Sequence, residues 1–121
     1  MATISVALTL ESTDTSSDEL SVSVSDSLTT TNPSVGVSRA VITTADNQEL
    51  VDEAVSGIKY FYAKNIDSTQ TAVFETIDGT QAFSDLSPGE ICFFPIKGTI
   101  GVRAKSGAST AVLEYAYWTK G

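Results

Sequence analysis

The chain has 121 residues, of which 41% are hydrophobic, a net charge of −8 and no histidine. A chain of this length is expected to form one domain that buries roughly two-thirds of the surface exposed when it is unfolded. The lack of histidine excludes Ser-His-Asp and Cys-His catalysis and removes the commonest metal ligand.

Acidic residues are concentrated in the first half of the chain. Residues 1–57 contain nine acids and one base, Arg39, whereas residues 58–121 contain six of each. Because phosphate groups would repel the acidic half, we expect neither a nucleic acid nor a membrane as partner. The sequence contains no apolar run of about 18 residues and no signal-like start, which predicts a protein made in the cytosol without a membrane span.

The first 30 residues contain two predicted strands. Nineteen of the first 44 residues are Ser or Thr, yet apolar residues alternate with them in "TISVALTL" and "LSVSVSDSL". This period of two predicts half-buried strands whose solvent faces carry the hydroxyl groups. We expect residues 1–12 to be either a strand of the domain or an N-terminal arm.

The polar segment at residues 11–19 joins these strands. Asp14, Asp18 and Glu19 are possible Ca²⁺ ligands, but their spacing differs from that of an EF-hand loop and no central Gly is present. We therefore predict a solvated loop and no metal site.

The middle of the chain contains one ambiguous segment. Pro33 and Gly36 end the second strand, and "VSRAVIT" predicts a third. Residues 44–57 fit either a short helix ending at Gly57 or a loop with a short strand at residues 49–51.

The second half consists of closely spaced strands, predicted at residues 58–64, 71–77, 80–83, 90–96, 99–104 and 110–118. The first two are expected to pair as a hairpin across "KNIDST". Asp78-Gly79 indicates another hairpin, and Pro88-Gly89 indicates a type II turn. Gly98 and Gly107 are predicted to close the last two hairpins.

These elements predict an all-β chain: a single-domain, jelly-roll-like antiparallel β-sandwich spanning residues 1–121, with at most one short helix. A closed barrel is the alternative. The core is predicted from alternation to contain Val6, Leu8, Val22, Val24, Val41, Tyr60, Tyr62, Val73, Phe93, Ile100, Val102, Val112 and Leu113.

Three arrangements in the sequence suggest chemistry, and each has a simpler interpretation. Glu75 and Glu114 resemble a glycosidase carboxylate pair, although cross-strand neighbours are the more economical interpretation. An amide bond among Lys64, Asn65 and Asp67 is conceivable, but "NIDST" suits a turn better. Cys92, the only cysteine, is expected to be a buried and inert thiol.

We predict a protein that is not an enzyme, with no catalytic residues, no cofactor and no small-molecule substrate, because no nucleotide-binding or metal-binding motif is present. Consecutive aromatic residues in a strand must divide between its two faces. An outward aromatic favours a protein interface, with a core-only role second and sugar binding third. The interface candidates are Tyr60, Phe61, Tyr62, Tyr115, Tyr117 and Trp118.

Several segments resemble small virion structural proteins of tailed bacteriophages, cyanophages among them. They are the opening "ATISVALTLESTDTSSDELSVSVSDSLT", then "YFYAKNIDSTQTAVFE" and "DLSPGEICFFPIKG", and the closing "AVLEYAYWTKG". The similarity covers nearly the whole chain, and its motifs are strands and turns without catalytic content.

The resemblance implies a capsid decoration or cement protein, made in the host cytoplasm and located on the outside of the capsid. Its expected partner is the major capsid protein, and its expected state is a homotrimer. A tail, neck or fibre-attachment component is the alternative from the same source. A carbohydrate-binding β-sandwich module is an alternative of a different class.

Overall fold

The computed structural model describes residues 2–15, 17–31, 36–45, 48–77 and 81–121. These residues form ten strands: β1 (Ala2–Ser12), β2 (Leu20–Thr30), β3 (Ser38–Ile42), β4 (Gln48–Val51), β5 (Lys59–Asn65), β6 (Ala72–Thr76), β7 (Ala82–Leu86), β8 (Ile91–Ile96), β9 (Val102–Ser106) and β10 (Ala111–Thr119).

Eight of the strands form a jelly-roll sandwich. One four-stranded sheet has the order β3-β10-β5-β8 and the other has the order β4-β9-β6-β7, with all neighbours antiparallel. The predicted fold class is therefore confirmed, and the sheets do not close into a barrel. No helix occurs among the described residues. In the ambiguous segment, residues 48–51 form β4 and residues 52–57 form a loop.

The first two strands form a separate hairpin, which we call the arm (Ala2–Thr30). Its register pairs Ala2 with Thr30 and Ser12 with Leu20, and it is not part of either four-stranded sheet. The base of the arm is joined to the end of β10, because the backbone N–H of Thr31 donates to Thr119 and that of Gly121 donates to Thr29. Residues 2–12 therefore pair within their own chain.

The core lies between the two four-stranded sheets. It consists of Ile42, Leu50, Val51, Phe61, Ala63, Ala72, Phe74, Leu86, Ile96, Val102, Ala104, Ala111 and Leu113. Phe61 packs edge-on against Phe74 of the opposite sheet, with ring centroids 5.8 Å apart. Predicted core residues Val102 and Leu113 are confirmed, at 1% and 0% exposure.

The predicted parity of β5 was wrong, although Tyr60 is buried as predicted, at 6% exposure. Phe61 and Ala63 face the core, whereas Tyr60 and Tyr62 lie on the other side of the strand. Phenylalanine has no polar group that burial would leave unsatisfied, so it occupies the inward position more favourably than tyrosine does. This parity also buries Lys59, whose Nζ donates to the carbonyl of Gly98 at 3.2 Å. Burial lowers the pKa of Lys59, while Asp52 acts in the opposite direction.

The assignment of arm residues to the core was also wrong. Leu8 and Val24 are 49% and 56% exposed, and Val22 is 38% exposed. They alternate as predicted, but they belong to a two-stranded sheet, and no other sheet of the described residues covers them. Val41 of β3, another predicted core residue, is 57% exposed.

Most of the predicted hairpins are connections between the sheets. β5 pairs with β10 and β8, while β6 pairs with β7 and β9, so residues 58–77 are not a hairpin. The turns at Gly98 and Gly107 likewise join strands of different sheets. Local turn chemistry cannot distinguish a tight hairpin from a crossover, because both need a chain reversal.

Two turn predictions have a clearer outcome. β6 and β7 pair as the Asp78-Gly79 signal predicted, although the turn itself lies outside the described residues. Gly89 has φ +86°, and the N–H of Glu90 donates to the carbonyl of Ser87 at 3.0 Å. This is the type II turn predicted from Pro88-Gly89.

No α-helix with the length and apolar composition of a membrane span occurs in the part of the chain that the structure describes.

Candidate interaction surface

The aromatic residues predicted as interface candidates divide between two environments. Phe61 is completely buried, and Tyr115 and Tyr117 pack against the core from β10. Phe61 is therefore excluded as a contact residue of the folded chain, because it has no accessible surface. Tyr60, Tyr62 and Trp118 lie on the side of the sheet β3-β10-β5-β8 that faces away from the core, which we call the outer face. Tyr62 and Trp118 are half-buried there, whereas Tyr60 is buried, at 6% exposure.

Strand register arranges the outer face in rows across the sheet. Trp118 is the cross-strand neighbour of Tyr60, and Tyr60 is the neighbour of Pro95. In the next row Tyr62 is the neighbour of Phe93, and Tyr60 and Phe93 stack with ring centroids 6.2 Å apart. The two rows form a continuous aromatic patch because residues two apart in a strand share a face.

The third row is charged. Glu114 of β10 lies between Arg39 of β3 and Lys64 of β5, and Lys64 is the neighbour of Ile91 at the sheet edge. The hydroxyl of Tyr62 donates to Glu114 Oε1 at 2.8 Å. Burial, together with this bond, raises the pKa of Tyr62, so the phenol stays protonated and holds the carboxylate.

The arm has one apolar face and one small polar face. Register places Ile4 opposite Leu28 and Leu8 opposite Val24 on one face, and Thr9 opposite Ser23 on the other. Asp26 is the one charged residue on the apolar face. The alternation in both strands predicted this division, because successive side chains of a strand point to opposite sides.

We call the half of the arm nearest to β10, which contains Ile4, Val6 and Leu28, the proximal half, and the half that contains Leu8, Leu10, Val22 and Val24 the distal half. The proximal half lies beside the aromatic rows. Residues 4–7 line a recess together with Tyr62, Phe93 and Trp118, which come from β5, β8 and β10. Ile4 and Val6 are half-buried there, whereas Leu8 and Leu10 further along the same face are 49% and 46% exposed. The apolar face of the arm is therefore covered near its base and uncovered towards its tip.

The carboxylates considered for catalysis are not brought together. Glu114 is on the outer face, whereas Glu75 is on the outward side of the other sheet, beside Arg103. Two packed sheets alone are separated by about 10 Å. Glu75 is nearly buried and lies 3.6 Å from an Arg103 guanidinium nitrogen and 3.1 Å from Lys105 Nζ. Glu75, Arg103 and Lys105 therefore form a structural charge cluster.

The segment considered for an amide bond is a hydrogen-bonded turn. Asn65 is completely buried, and its Nδ2 donates to the carbonyls of Gln70 and Leu86 at 2.7 and 2.8 Å. Lys64 lies on the opposite side of the strand, so it cannot join Asn65. Asp67 accepts hydrogen bonds from the N–H groups of Thr69, Gln70 and Val112, and these bonds lower its pKa.

The remaining candidates do not form sites. Burial raises the pKa of Cys92 to about 11, which keeps the half-buried thiol protonated at neutral pH. No cluster of three or more His, Cys, Asp or Glu residues that could hold a metal occurs among the described residues, so Asp14, Asp18 and Glu19 do not converge there.

Comparisons with protein families, with curated proteins and with solved structures find no match to this chain.

Two parts of this surface were missed from the sequence. Phe93 was assigned to the core, and Ile91 was not singled out although it is 65% exposed. The signal was present in "ICFFPI", where alternation places residues 91, 93 and 95 on one face, but the absolute parity was not determined. The pairing of Phe61 with Phe94 fixes it.

Proposed function

We propose that this protein is a non-enzymatic structural protein of a tailed-phage virion, and that it binds the outside of the capsid and stabilises it. The proposed partner is the major capsid protein, and the proposed assembly is a homotrimer. It would be made in the host cytoplasm and incorporated on the capsid exterior. The sequence resemblance to phage virion proteins is the source of this proposal.

The structural observation that supports it is the exposed apolar surface of the arm and the outer face. Leu8, Leu10, Val24, Val41 and Ile91 are each 46–65% exposed. Contiguous exposed apolar surface on a soluble domain usually marks a protein contact. Aromatic residues beside a charged row, as on the outer face, are typical of the composition of such contacts.

The electrostatics support a protein partner on a particle exterior. The net charge of −8 disfavours contact with packaged nucleic acid. Jelly rolls are frequent among viral capsid domains, although the fold alone does not define a function.

Binding to purified, expanded, empty capsids of the parent phage tests the proposal. The protein should co-sediment with the shells at a ratio set by the capsid lattice, and it should raise their melting temperature through mass action. Shells that neither retain the protein nor gain heat stability would refute the capsid role. A tail, neck or fibre-attachment position would then be the next candidate, tested on purified tails.

One observation favours carbohydrate binding as a second candidate. Tyr62 and Trp118 line the same open recess, and neighbouring aromatic rings are a common platform for sugars. The residues of the arm also line this recess, and the Tyr62 hydroxyl already bonds Glu114. Binding to host polysaccharide that is lost in Trp118→Ala but retained in Val112→Ala, on the same strand and face, would support the module instead.

A further inference from the structure

The distal half of the arm presents an apolar face that its own chain leaves uncovered. This face carries Leu8, Leu10, Val22 and Val24, which are 38–56% exposed. Cross-strand pairs Leu8–Val24 and Leu10–Val22 make it continuous. The opposite face of the same strands holds Ala7, Glu11 and small polar residues, so the large apolar side chains are concentrated on one surface.

An uncovered two-stranded hairpin needs support. A hairpin without a third strand or a packed layer is marginally stable in water. The proximal half of the arm lies beside such a layer, because Ile4 and Val6 are half-buried and line the recess with Tyr62, Phe93 and Trp118. The distal half has the same type of apolar face without the layer, so we expect another surface to supply it.

The outer face also has an uncovered region. Beyond the aromatic rows, Ile91 and Val41 are 65% and 57% exposed at the two edges of the sheet. Between these edges Arg39 and Lys64 flank Glu114 in the charged row, which leaves the row with one net positive charge. Residues 2–31, which include the arm, contain five acids and no base, so their charge is opposite in sign to that of the row.

We propose that the distal half of the arm docks on the uncovered part of the outer face of a second copy of this chain. In the proximal arm, Ile4 and Val6 of the apolar face lie beside Tyr62, Phe93 and Trp118 of the outer face. Each copy offers one uncovered distal arm and one uncovered part of the outer face. Such a contact joins two different surfaces, so repeated contacts close into a ring or continue as a filament. The inference specifies the contact in the proposed homo-oligomer and rests on that part of the proposed function.

The mass of the protein alone in solution, measured by light scattering, is the first test. The wild type should form a closed oligomer at micromolar concentration. Val24→Asp, on the apolar face of the arm, should raise the dissociation constant of the oligomer at least tenfold. Ser23→Asp adds the same charge to the adjacent residue on the polar face, and it should associate like the wild type. A monomeric wild type, or equal effects of the two substitutions, would overturn the proposal.

Complementation between variants tests which surfaces meet. Ile91→Asp damages the outer face and leaves the arm intact, whereas Val24→Asp does the reverse. Each variant alone should be monomeric, and an equimolar mixture should give a heterodimer because one intact arm meets one intact face. Arm-to-arm contact predicts instead that Ile91→Asp self-associates on its own and that the mixture contains no heterodimer, and that outcome would overturn the proposal. Circular dichroism of each variant establishes that it is folded.

These measurements use no capsids, so they separate the inference from the proposed function. An oligomer with the predicted variant effects but no capsid binding would retain the arm contact and refute the capsid role. A monomer that binds capsids, with binding abolished by Val24→Asp, would assign the arm to the shell and refute the contact between copies.

Discussion

Asn65 allows the sharpest test of how the sandwich is held together. Its Nδ2 donates to Gln70 and Leu86, and its Oδ1 accepts from the N–H of Asp67 at 3.0 Å. Asn65→Ala removes all three bonds and leaves the Leu86 carbonyl buried without this donor. At about 1 kcal/mol for each bond, the expected loss in the free energy of unfolding is about 3 kcal/mol.

Asn65→Asp provides a pH-dependent version of the same test. The aspartate has nearly the same shape, but as a carboxylate it would face two carbonyl oxygens without a proton to donate. The folded state should raise its pKa above the unfolded value of about 3.9, so the protonated form stabilises the fold and that stability is lost as the pH rises. The variant should be less stable than Asn65→Ala at pH 7 and should recover relative to it near pH 4.

Urea unfolding followed by tryptophan fluorescence measures both effects. A loss of about 3 kcal/mol corresponds to a midpoint shift of about 1–3 M for a domain of this size. Ser68→Ala, at an exposed position of the same loop, is the matched control and should be near neutral. An Asn65→Ala shift below about 0.5 M, or an Asn65→Asp variant that does not respond to pH, would refute this account of the connection between β5 and β6.

Three further predictions concern separate parts of the sandwich. Asp67→Asn should lower the melting temperature at pH 7, and the difference from wild type should shrink below pH 3.8. The folded state lowers the pKa of Asp67, so the contribution of its carboxylate to stability is lost when the pH falls and the group is protonated. A pH-independent difference would contradict this. Cys92 should react with iodoacetamide at pH 7.5 far more slowly in the native protein than in urea, and equal rates would contradict the raised pKa. Gly89→Ala should lower the free energy of unfolding, measured by chemical denaturation, by about 1 kcal/mol, because φ at this position is +86°. A steric clash does not contribute, since no atom outside the neighbouring residues lies within 4 Å of the added Cβ. Gly36→Ala, also in open space but without positive φ, should lower the free energy of unfolding by less.

The sequence predicted the types of element well and their partners poorly. Alternation identified β1 and β2, and Gly89 identified its turn, because these signals depend on residues close in the chain. The separation of β5 from β6 depends on Phe61 contacting Phe74 across the core and pairing with Phe94 in β8. Such distant contacts leave no pattern in the segment between them, so a turn sequence was interpreted as a hairpin.

The candidate surface, too, could be predicted from the sequence only in part. Tyr62 and Trp118 were identified because adjacent aromatics must divide between two faces, but the choice of face needed the register. The role of the arm residues was misassigned for a related reason. Alternation indicates that Leu8 and Val24 share a face, whereas only the arrangement of sheets shows that this face has no partner in the chain.

The strand order of the sandwich also determines the order of events in folding. Among β3 to β10, β6 and β7 are the only consecutive strands that pair with each other, so the other pairings must close long loops. Chains dominated by such non-local pairings fold in milliseconds to seconds, whereas a β-hairpin forms in about 1–10 μs. The arm can therefore pair transiently before the sandwich exists, and newly made chains would expose its apolar residues to one another during that interval. Refolding yield should consequently fall with protein concentration, and less steeply for Val24→Asp than for Ser23→Asp.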